Sequence, residues 1–212
     1  MNSSPSSTRS SHVHHLLNEA RQQQSESLGT LLELYRNYLT ILATTQLDQR
    51  LRRRVSPSDV VQETMLAAHR DFLKFRGTSE REFLGWLRQI LVNCMHRTIE
   101  RHLKSKRRDA RREVSMERVN DQLDRSAADL SHLFVDQGDS PSQSLHERER
   151  AVMLANQLAK LRPQYRDVIV LRNLQGLSFE EVAERMERNP GAVRMLWLRA
   201  IEKLKEVYEP FE

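Results

Sequence analysis

The stretch SFEEVAERMERNPGAVRMLWLRAIEKLKEVY, residues Ser178–Tyr208, predicts two helices separated by a tight polar turn. Ser178 and Glu181 have the spacing of a capping box, so a short helix is expected to begin there. Asn189 and Pro190 suit the start of a second, longer helix. Five apolar positions would close a small core between the two helices: Val182, Ala183, Met186, Val193 and Trp197. This pattern is typical of a helix-turn-helix, a motif that often binds DNA.

The longer helix of this motif has a basic outer face. Its inward positions are expected to be Val193, Trp197, Ala200 and Leu204. Five side chains then point outward: Arg194, Met195, Leu198, Arg199 and Lys203. Arginine can pair with guanine edges or with phosphates. Methionine and leucine supply no hydrogen-bond donors, and the sequence leaves open whether they touch thymine methyl groups or form a surface for an inhibitory protein.

Helical patterns also precede this motif, and they favour an all-α fold. The stretches LHERERAVMLANQLAKL and RPQYRDVIVLRNLQGL continue the pattern back to about Leu145, with Gly176 placed as a helix stop. Six glycines and six prolines in 212 residues leave little material for turns. We predict two small helical domains, over residues 28–112 and 145–212.

A change in the sign of charge separates the two predicted domains. Residues 97–112 hold eight cations against two acids, whereas residues 113–139 hold seven acids against two cations. The acidic part has few large apolar side chains and contains DQGDSPSQS, which is typical of a loop. We therefore predict a flexible acidic linker over residues 113–144. The Ser-, Gln- and His-rich residues 1–27 are predicted to be a disordered tail.

Three helices are predicted in the first domain. The pattern from Leu31 to Leu51 has apolar residues at three- and four-residue spacing. Ser56 and Pro57 suit the start of a second helix that ends near Leu73. After the loop KFRGTS, Ser79 and Glu82 form another capping box before a long third helix. Short connections favour a compact bundle of three to four helices.

The second of these helices has two faces of different character. Its buried face is expected to hold Val61, Met65, Ala68 and Phe72. The opposite stripe holds Asp59, Gln62, Glu63 and Leu66, with Leu73 beyond them. A merely solvated face would not need the two leucines, so the stripe suggests a site for a basic, partly apolar protein surface. A solvated face remains the alternative on these residues alone.

Charge and composition narrow the function classes. A formal charge of +5 favours an anionic partner, either nucleic acid or a membrane surface. The single cysteine, Cys94, excludes an internal disulfide and a zinc ribbon. No signal peptide and no run of ~18 apolar residues is present, so a cytoplasmic protein without membrane insertion is expected. No carboxylate pair or His and Cys set has the spacing of a catalytic or metal site, so no enzyme, cofactor or metal is predicted.

Three stretches together resemble a known family. They are SDVVQETMLAAHRDF, EFLGWLRQILVNCMHRTIERHLKSKRR and LAKLRPQYRDVIVLRNLQGLSFEEVAERMERNPGAVRMLWLRAIEKL. In this order they are similar to regions 2 and 4 of bacterial RNA polymerase sigma factors. The likeness is to the small extracytoplasmic-function (ECF) group, which retains only these two regions. It covers residues 31–112 and 145–207.

The resemblance implies a partner for each charged surface. The residues that match the family's docking motif for the clamp coiled coil of the polymerase β′ subunit are Asp59, Val60, Gln62 and Glu63, with Leu66 beside them. The β flap would be the other contact on core polymerase. The residues implied to meet the melted −10 strand are Lys74, Arg76, Gln89, Asn93, His96, Arg97, Arg101 and Lys104. Those implied for the −35 duplex are Ser178, Asn189, Arg194, Met195, Leu198, Arg199 and Lys203.

The resemblance thus implies a promoter-specificity subunit with no catalysis of its own. Family members are often held by an anti-sigma protein, which is a candidate partner that no residue here identifies. A DNA-binding regulator that uses only the helix-turn-helix is a second hypothesis, with the first domain serving dimerisation or sensing. A nucleic-acid enzyme is a third. Binding to core polymerase would distinguish the first hypothesis from the second.

Overall fold

The computed structural model describes residues 5–22, 24–47, 54–104, 116–133 and 144–207. These ranges contain ten α-helices and no strand, so the all-α prediction is confirmed. The helices are α1 (Pro5–Arg21), α2 (Ser25–Glu33), α3 (Arg36–Gln46), α4 (Pro57–Asp71), α5 (Glu80–Lys104), α6 (Met116–His132), α7 (Ser144–Lys160), α8 (Pro163–Ile169), α9 (Phe179–Met186) and α10 (Pro190–Val207). The chain divides into two compact units, Met1–Gln122 and Leu123–Glu212, and the boundary falls within α6.

The first unit is a bundle built on α1 to α5. Helix α1 packs along α2, and α4 packs against both α3 and α5. Its largest fully buried side chains include Leu17, Leu31, Tyr35, Tyr38, Leu39, Leu42, Phe83, Leu87, Leu91 and Met95. Burying one such side chain stabilises the fold by about 1.5–3 kcal/mol, so this core contributes strongly to holding the short helices together.

The N-terminal segment departs from the sequence prediction. Residues 5–21 form α1 instead of a disordered tail, and Val13, Leu16, Leu17 and Ala20 are buried. These four residues recur at helical spacing and therefore share one face, through which α1 is held in the bundle. Polar neighbours obscured the pattern, because Ser and His are the most frequent residues of the segment.

The amphipathic pattern from Leu31 to Leu51 corresponds to two helices. Helix α2 ends at Glu33, and the amides of Leu34 and Tyr35 close a tight turn on the carbonyls of Thr30 and Leu32. The Tyr35 ring is fully buried, and its hydroxyl donates to Glu80 Oε1 at 2.8 Å at the start of α5. The break therefore ties two parts of the bundle together. Residues 48–51 of the predicted helix lie outside the described part.

The predicted starts of α4 and α5 are confirmed. Ser56 caps α4, since its Oγ accepts from the Ser58 amide at 3.1 Å. At α5 the amides of Thr78 and Ser79 donate to Glu82 Oε2 at 2.9 and 3.0 Å, and the Glu82 amide donates to Ser79 Oγ at 3.3 Å. These bonds satisfy amides that a helix start leaves without intrahelical partners.

The helix-turn-helix is also confirmed in the second unit. Ser178 and Glu181 form the capping box of α9, and Asn189 Oδ1 accepts from the Ala192 amide at 2.7 Å at the start of α10. Gly176 has φ of +66°, a left-handed conformation that favours glycine where the preceding helix stops. The core of this unit includes Val168, Ile169, Val182, Ala183, Val193, Leu196, Ala200 and Leu204. Of the five predicted core positions, Met186 and Trp197 are only partly buried.

The acidic segment between the two predicted domains contains a further helix. Helix α6 covers residues 116–132, where a flexible linker was predicted, and it buries Val119, Leu123 and Leu130. Their spacing of four and seven residues places them on one helix face, so few apolar residues suffice. The prediction of a flexible linker is wrong for this part. The rest of the predicted linker, residues 113–115 and 134–143, lies outside the described ranges.

The capping box of α9 predicts a pH-dependent contribution to stability. Hydrogen bonds from the Ser178 amide and hydroxyl lower the pKa of Glu181 below its ordinary value of 4.5. This stabilisation should be fully present above pH 4.5 and should be lost as the pH falls through the lower folded pKa. We expect Glu181→Gln to destabilise the second unit at pH 6, with a difference from wild type that shrinks towards pH 3.

Tryptophan fluorescence can follow this unit alone. In a Trp86→Phe background Trp197 is the only tryptophan, so urea unfolding monitored by its emission reports on the second unit. Glu184→Gln is the matched control, because Glu184 is an exposed acid of the same helix outside the capping box. A Glu181→Gln effect that stays constant between pH 6 and pH 3 would contradict the prediction.

Candidate protein and nucleic-acid interfaces

The acidic stripe on α4 is exposed, as predicted. Asp59 and Gln62 face solvent, and Leu66 has 66% of its surface exposed. Leu73, just beyond the helix, is 69% exposed. Large apolar side chains gain free energy when they are covered, so two exposed leucines beside an acid and an amide have the chemistry of a protein-binding surface.

Val60 does not belong to this surface. Only 1% of it is exposed, and it lies on the buried face of α4 with Val61, Thr64, Ala67 and Ala68. A helix advances about 100° per residue, so a position next to Asp59 points towards the bundle. The expectation that Val60 contacts a partner directly is therefore wrong, and its role is to hold the stripe in place.

Glu63 and Arg101 connect α4 to α5. Arg101 Nη2 donates to Glu63 Oε2 at 3.1 Å and to Oε1 at 3.2 Å, although 38 residues separate them in sequence. The Arg101 side chain is 62% exposed and that of Glu63 is 39% exposed, so the pair adds little to stability. Its importance is positional, because it places a predicted docking acid beside a predicted DNA-binding cation.

An exposed polar row runs along α5. Gln89, Asn93, Arg97 and Arg101 recur every four residues and all face solvent. Within the row, Gln89 Nε2 donates to Asn93 Oδ1 at 3.4 Å, and Arg97 Nε donates to the Asn93 carbonyl at 3.3 Å. His96 is partly buried and lies 3.9 Å from Glu100. The row combines amides that can read base edges with cations that attract phosphates.

The basic run beyond this row extends past the described chain. Helix α5 ends at Lys104, whose side chain lies outside the described part, as do residues 105–112. The DNA-binding assignment of Lys104 therefore stays a prediction.

Aromatic side chains hold the loop between α4 and α5. Phe75 packs against Phe72, Phe83 and Trp86, with ring centroids 5.1 to 6.1 Å apart. Phe83 is fully buried, as expected of a core residue, and Trp86 is partly buried. The cluster fixes the backbone on which two exposed cations, Lys74 and Arg76, are carried.

Lys74 also takes part in a local charge cluster. Its Nζ lies 2.7 Å from Asp71 Oδ1, and Arg70 Nη2 lies 3.0 Å from Asp71 Oδ2. The hydrogen bonds from Arg70 and Lys74 lower the pKa of Asp71 to about 2. The Asp71 carboxylate thereby orients Lys74 at the edge of the loop.

A groove of about 390 Å³ opens beside this loop. It is lined by Arg21, Phe72, Leu73, Phe75, Arg76 and Thr78. Gly77 is required here by close packing, because a Cβ at this position would lie 2.5 Å from Cζ of Phe75. The groove was not found from the sequence, since its walls come from two segments of the chain that lie about 50 residues apart.

The outer face of α10 agrees with the sequence prediction. Arg194, Arg199 and Lys203 are exposed, and Met195 and Leu198 are 50% and 48% exposed. Ser178 and Asn189 use their side-chain oxygens to cap α9 and α10. These two residues therefore already have a structural role at the starts of α9 and α10.

Phe179 organises the arginines of the helix-turn-helix. The guanidinium carbons of Arg172 and Arg194 lie 4.8 and 5.1 Å from the centre of its ring, within range of a cation–π interaction. Trp197 meets the same ring edge-on at 5.7 Å. Sequence reasoning missed Phe179, because its contacts with Arg172, Arg194 and Trp197 join separate helical segments.

Two further hydrogen bonds hold Arg172 and Trp197, the neighbours of the Phe179 ring, in place. Arg172 Nη1 donates to the Leu177 carbonyl at 2.7 Å, and Trp197 Nε1 donates to Asn173 Oδ1 at 2.9 Å. Arg172 and Asn173 lie in a π-helical turn, Val170–Leu174, that continues α8. Arg194, near the start of α10, therefore packs on the ring of Phe179, whose other neighbours Arg172 and Trp197 are held by these bonds.

Neither a membrane-spanning helix nor a metal cluster occurs in the described ranges given above. No helix there has an apolar stretch long enough to cross a bilayer. Within the same ranges, no group of three or more His, Cys, Asp or Glu side chains could hold a metal ion.

These features define a helical protein with a helix-turn-helix that has a basic outer face in one unit and an exposed acidic and apolar stripe in the other. Comparison with known families agrees with this class. The model of sigma-70 region 2 matches residues 32–109, and that of sigma-70 region 4 matches residues 151–204.

Individual relatives extend the match. The chain is 29% identical to the ECF RNA polymerase sigma-E factor of Haemophilus influenzae over 92% of this chain and 94% of that protein. It is 30% identical to the ECF RNA polymerase sigma-E factor of Escherichia coli K12 over 72% of this chain and 73% of that protein. The solved RsbN–BldN complex aligns over 91% of this chain and 99% of the compared chain, with 22% identity and a TM-score of 0.31.

The chain therefore belongs to the sigma-70 family and is an ECF-type RNA polymerase sigma factor. A protein of this type binds core RNA polymerase and promoter DNA and directs where transcription begins.

Proposed function

We propose that the two units divide the work of promoter recognition between separate surfaces. The α4 stripe of Asp59, Gln62, Glu63 and Leu66 docks on the β′ clamp coiled coil of core polymerase. The exposed row on α5 and the loop after α4 bind the melted −10 strand, and α10 binds the −35 duplex. The observation that carries the proposal is the segregation of the exposed side chains, with acids and Leu66 on the α4 stripe, amides and cations on the α5 row, and cations on the outer face of α10.

The geometry supports a passive mode of promoter opening. Exposed amides and cations at four-residue spacing can bind unpaired bases and their phosphates, whereas paired bases hide the same edges. Selective binding of the open state shifts the equilibrium towards melted DNA without a chemical step. The protein acts as a binding factor and not as an enzyme, and its place of action is the cytoplasm, where its polymerase partner works.

Helix α10 is proposed to combine two kinds of contact with the −35 duplex. Arg194 and Arg199 pair with guanine edges or phosphates of the −35 element, and the apolar Met195 and Leu198 contact thymine methyl groups. Phe179 holds Arg194 in position for this contact, and Arg172 packs on the same ring.

Transcription in vitro tests the proposal directly. Purified core polymerase is combined with the full chain and a fragmented genomic library, and the start sites of the transcripts are sequenced. We expect start sites that depend on the chain and share upstream −35 and −10 sequences. Failure to bind core polymerase, or transcripts that are the same without the chain, would contradict the proposed function.

A further inference from the structure

The N-terminal helix reaches the proposed −10 site. Helix α1 lies outside both matched family regions, the first of which begins at residue 32. Its last residue, Arg21, nevertheless lines the groove beside the loop after α4. Arg21 Nη2 donates to the carbonyl of Gly77, 56 residues further along the chain. Because Val13 and Leu17 are fully buried, the helix that carries Arg21 is fixed to the bundle.

The groove has the two kinds of wall that an unpaired nucleotide needs. Phe72, Phe75 and Leu73 form an apolar side against which a base can pack. Arg21 and Arg76 are exposed cations at the same groove, where they can bind phosphates. Its volume of about 390 Å³ lies within the range of ligand-binding pockets, about 300–1,000 Å³.

The bond to Gly77 is compatible with a contact to DNA. A guanidinium carries five N–H donors in one plane, so Arg21 can hold the Gly77 carbonyl and still present donors to a phosphate. The same bond sets the position of the guanidinium relative to the loop, which reduces the conformational entropy lost on binding.

We propose that Arg21 is a DNA-binding residue of the −10 site, where it contacts a backbone phosphate next to one unstacked nucleotide held in the groove. This inference rests on the proposed function and extends it to a helix outside the matched regions. The occupant is single-stranded DNA, because its apolar bases and regularly spaced phosphates fit the apolar and cationic sides of the groove.

The salt dependence of binding provides the test. The probe is a fluorescein-labelled single-stranded 12-mer that carries the −10 strand of a promoter mapped in the transcription assay, bound to holoenzyme at 50 to 300 mM salt. Loss of one phosphate contact should make the slope of log affinity against log salt less steep by about 0.7. We expect Arg21→Gln to show this change and to bind about tenfold more weakly at low salt, as for loss of one hydrogen bond to a charged group.

Arg36→Gln is the matched control. Arg36 is an exposed arginine of the same unit, paired with Glu33 and not part of the groove, so its loss changes the net charge by the same amount. Its slope should equal that of wild type. An Arg21→Gln slope equal to wild type, with or without weaker binding, would overturn the proposal, as would an equal change in Arg36→Gln.

Further variants keep the test decisive if Arg21→Gln folds poorly by circular dichroism. Arg21→Lys keeps the charge and should keep the wild-type slope, whereas Arg21→Glu should flatten the slope at least as much as glutamine. A slope that does not follow the charge at residue 21 overturns the inference. Wild-type transcription with core polymerase is measured in parallel, so a failure of the proposed function is recognised separately.

Discussion

Core RNA polymerase is expected to bind the double variant Asp59→Lys, Glu63→Lys at least about 100-fold more weakly than wild type, since like charges facing each other cost several kcal/mol. The change reverses the sign of the α4 stripe and leaves the exposed Leu66 in place. Affinity is measured by fluorescence anisotropy, with labelled protein titrated by core polymerase. Binding should improve as salt is raised if repulsion is the cause, because salt screens exposed charges.

A matched variant controls for charge and for helix stability. Glu26→Lys, Glu33→Lys makes the same charge change on α2 of the same unit. Glu26 lies in the first turn of its helix, as Asp59 does, and Glu33 pairs with an exposed arginine, as Glu63 does. Both double variants should lose similar stability, yet only the α4 variant should lose polymerase binding. Equal binding by the two variants would place the docking surface elsewhere.

Sequence-specific binding to the −35 duplex is expected to fall about 10- to 100-fold for Arg194→Gln and for Arg199→Gln, since one base-reading arginine is worth about 1–3 kcal/mol. Both side chains are exposed on α10 and carry the donors of the predicted surface. The measurement is competition between a promoter duplex and the same duplex with a scrambled −35 element, with holoenzyme at fixed salt. Loss of a contact to a base lowers only the preference for the promoter, whereas loss of a contact to a phosphate lowers binding to both duplexes.

The controls for this prediction use the same unit. Lys160→Gln removes an exposed cation from α7 and should leave the preference unchanged. Phe179→Leu should weaken wild-type binding and have a smaller effect when Arg194 is already glutamine, because the two residues are in contact. Additive effects of Phe179→Leu and Arg194→Gln would contradict the positioning role of Phe179. A full preference in both arginine variants would contradict the assignment of α10.

Helix starts were the most predictable part of the fold. The capping boxes at Ser79 and Ser178 and the cap at Asn189 are all present. These signals are reliable because every bond in them joins residues no more than four apart, so the sequence alone brings the groups together. The exposed faces of α4 and α10 were predictable for the same reason, since 3.6 residues per turn decide which positions share a face.

Helices α1 and α6 show how composition can mislead. Both were expected to be disordered or flexible, because polar and charged residues dominate them. Each needs only three or four apolar residues at helical spacing to bury one face, as Val13 and Leu17 do in α1. Spacing was therefore a better guide than average hydrophobicity in these two segments.

The sequence by itself determined that the chain is helical, where its principal helices start, and which sides of α4 and α10 are charged. Only the tertiary structure decided which of these residues meet. It paired Glu63 with Arg101 across 38 residues and brought Arg21 to Gly77 across 56. The physical reason is that caps and helix faces depend on neighbours within a turn or two, whereas contacts between distant segments depend on how whole helices pack.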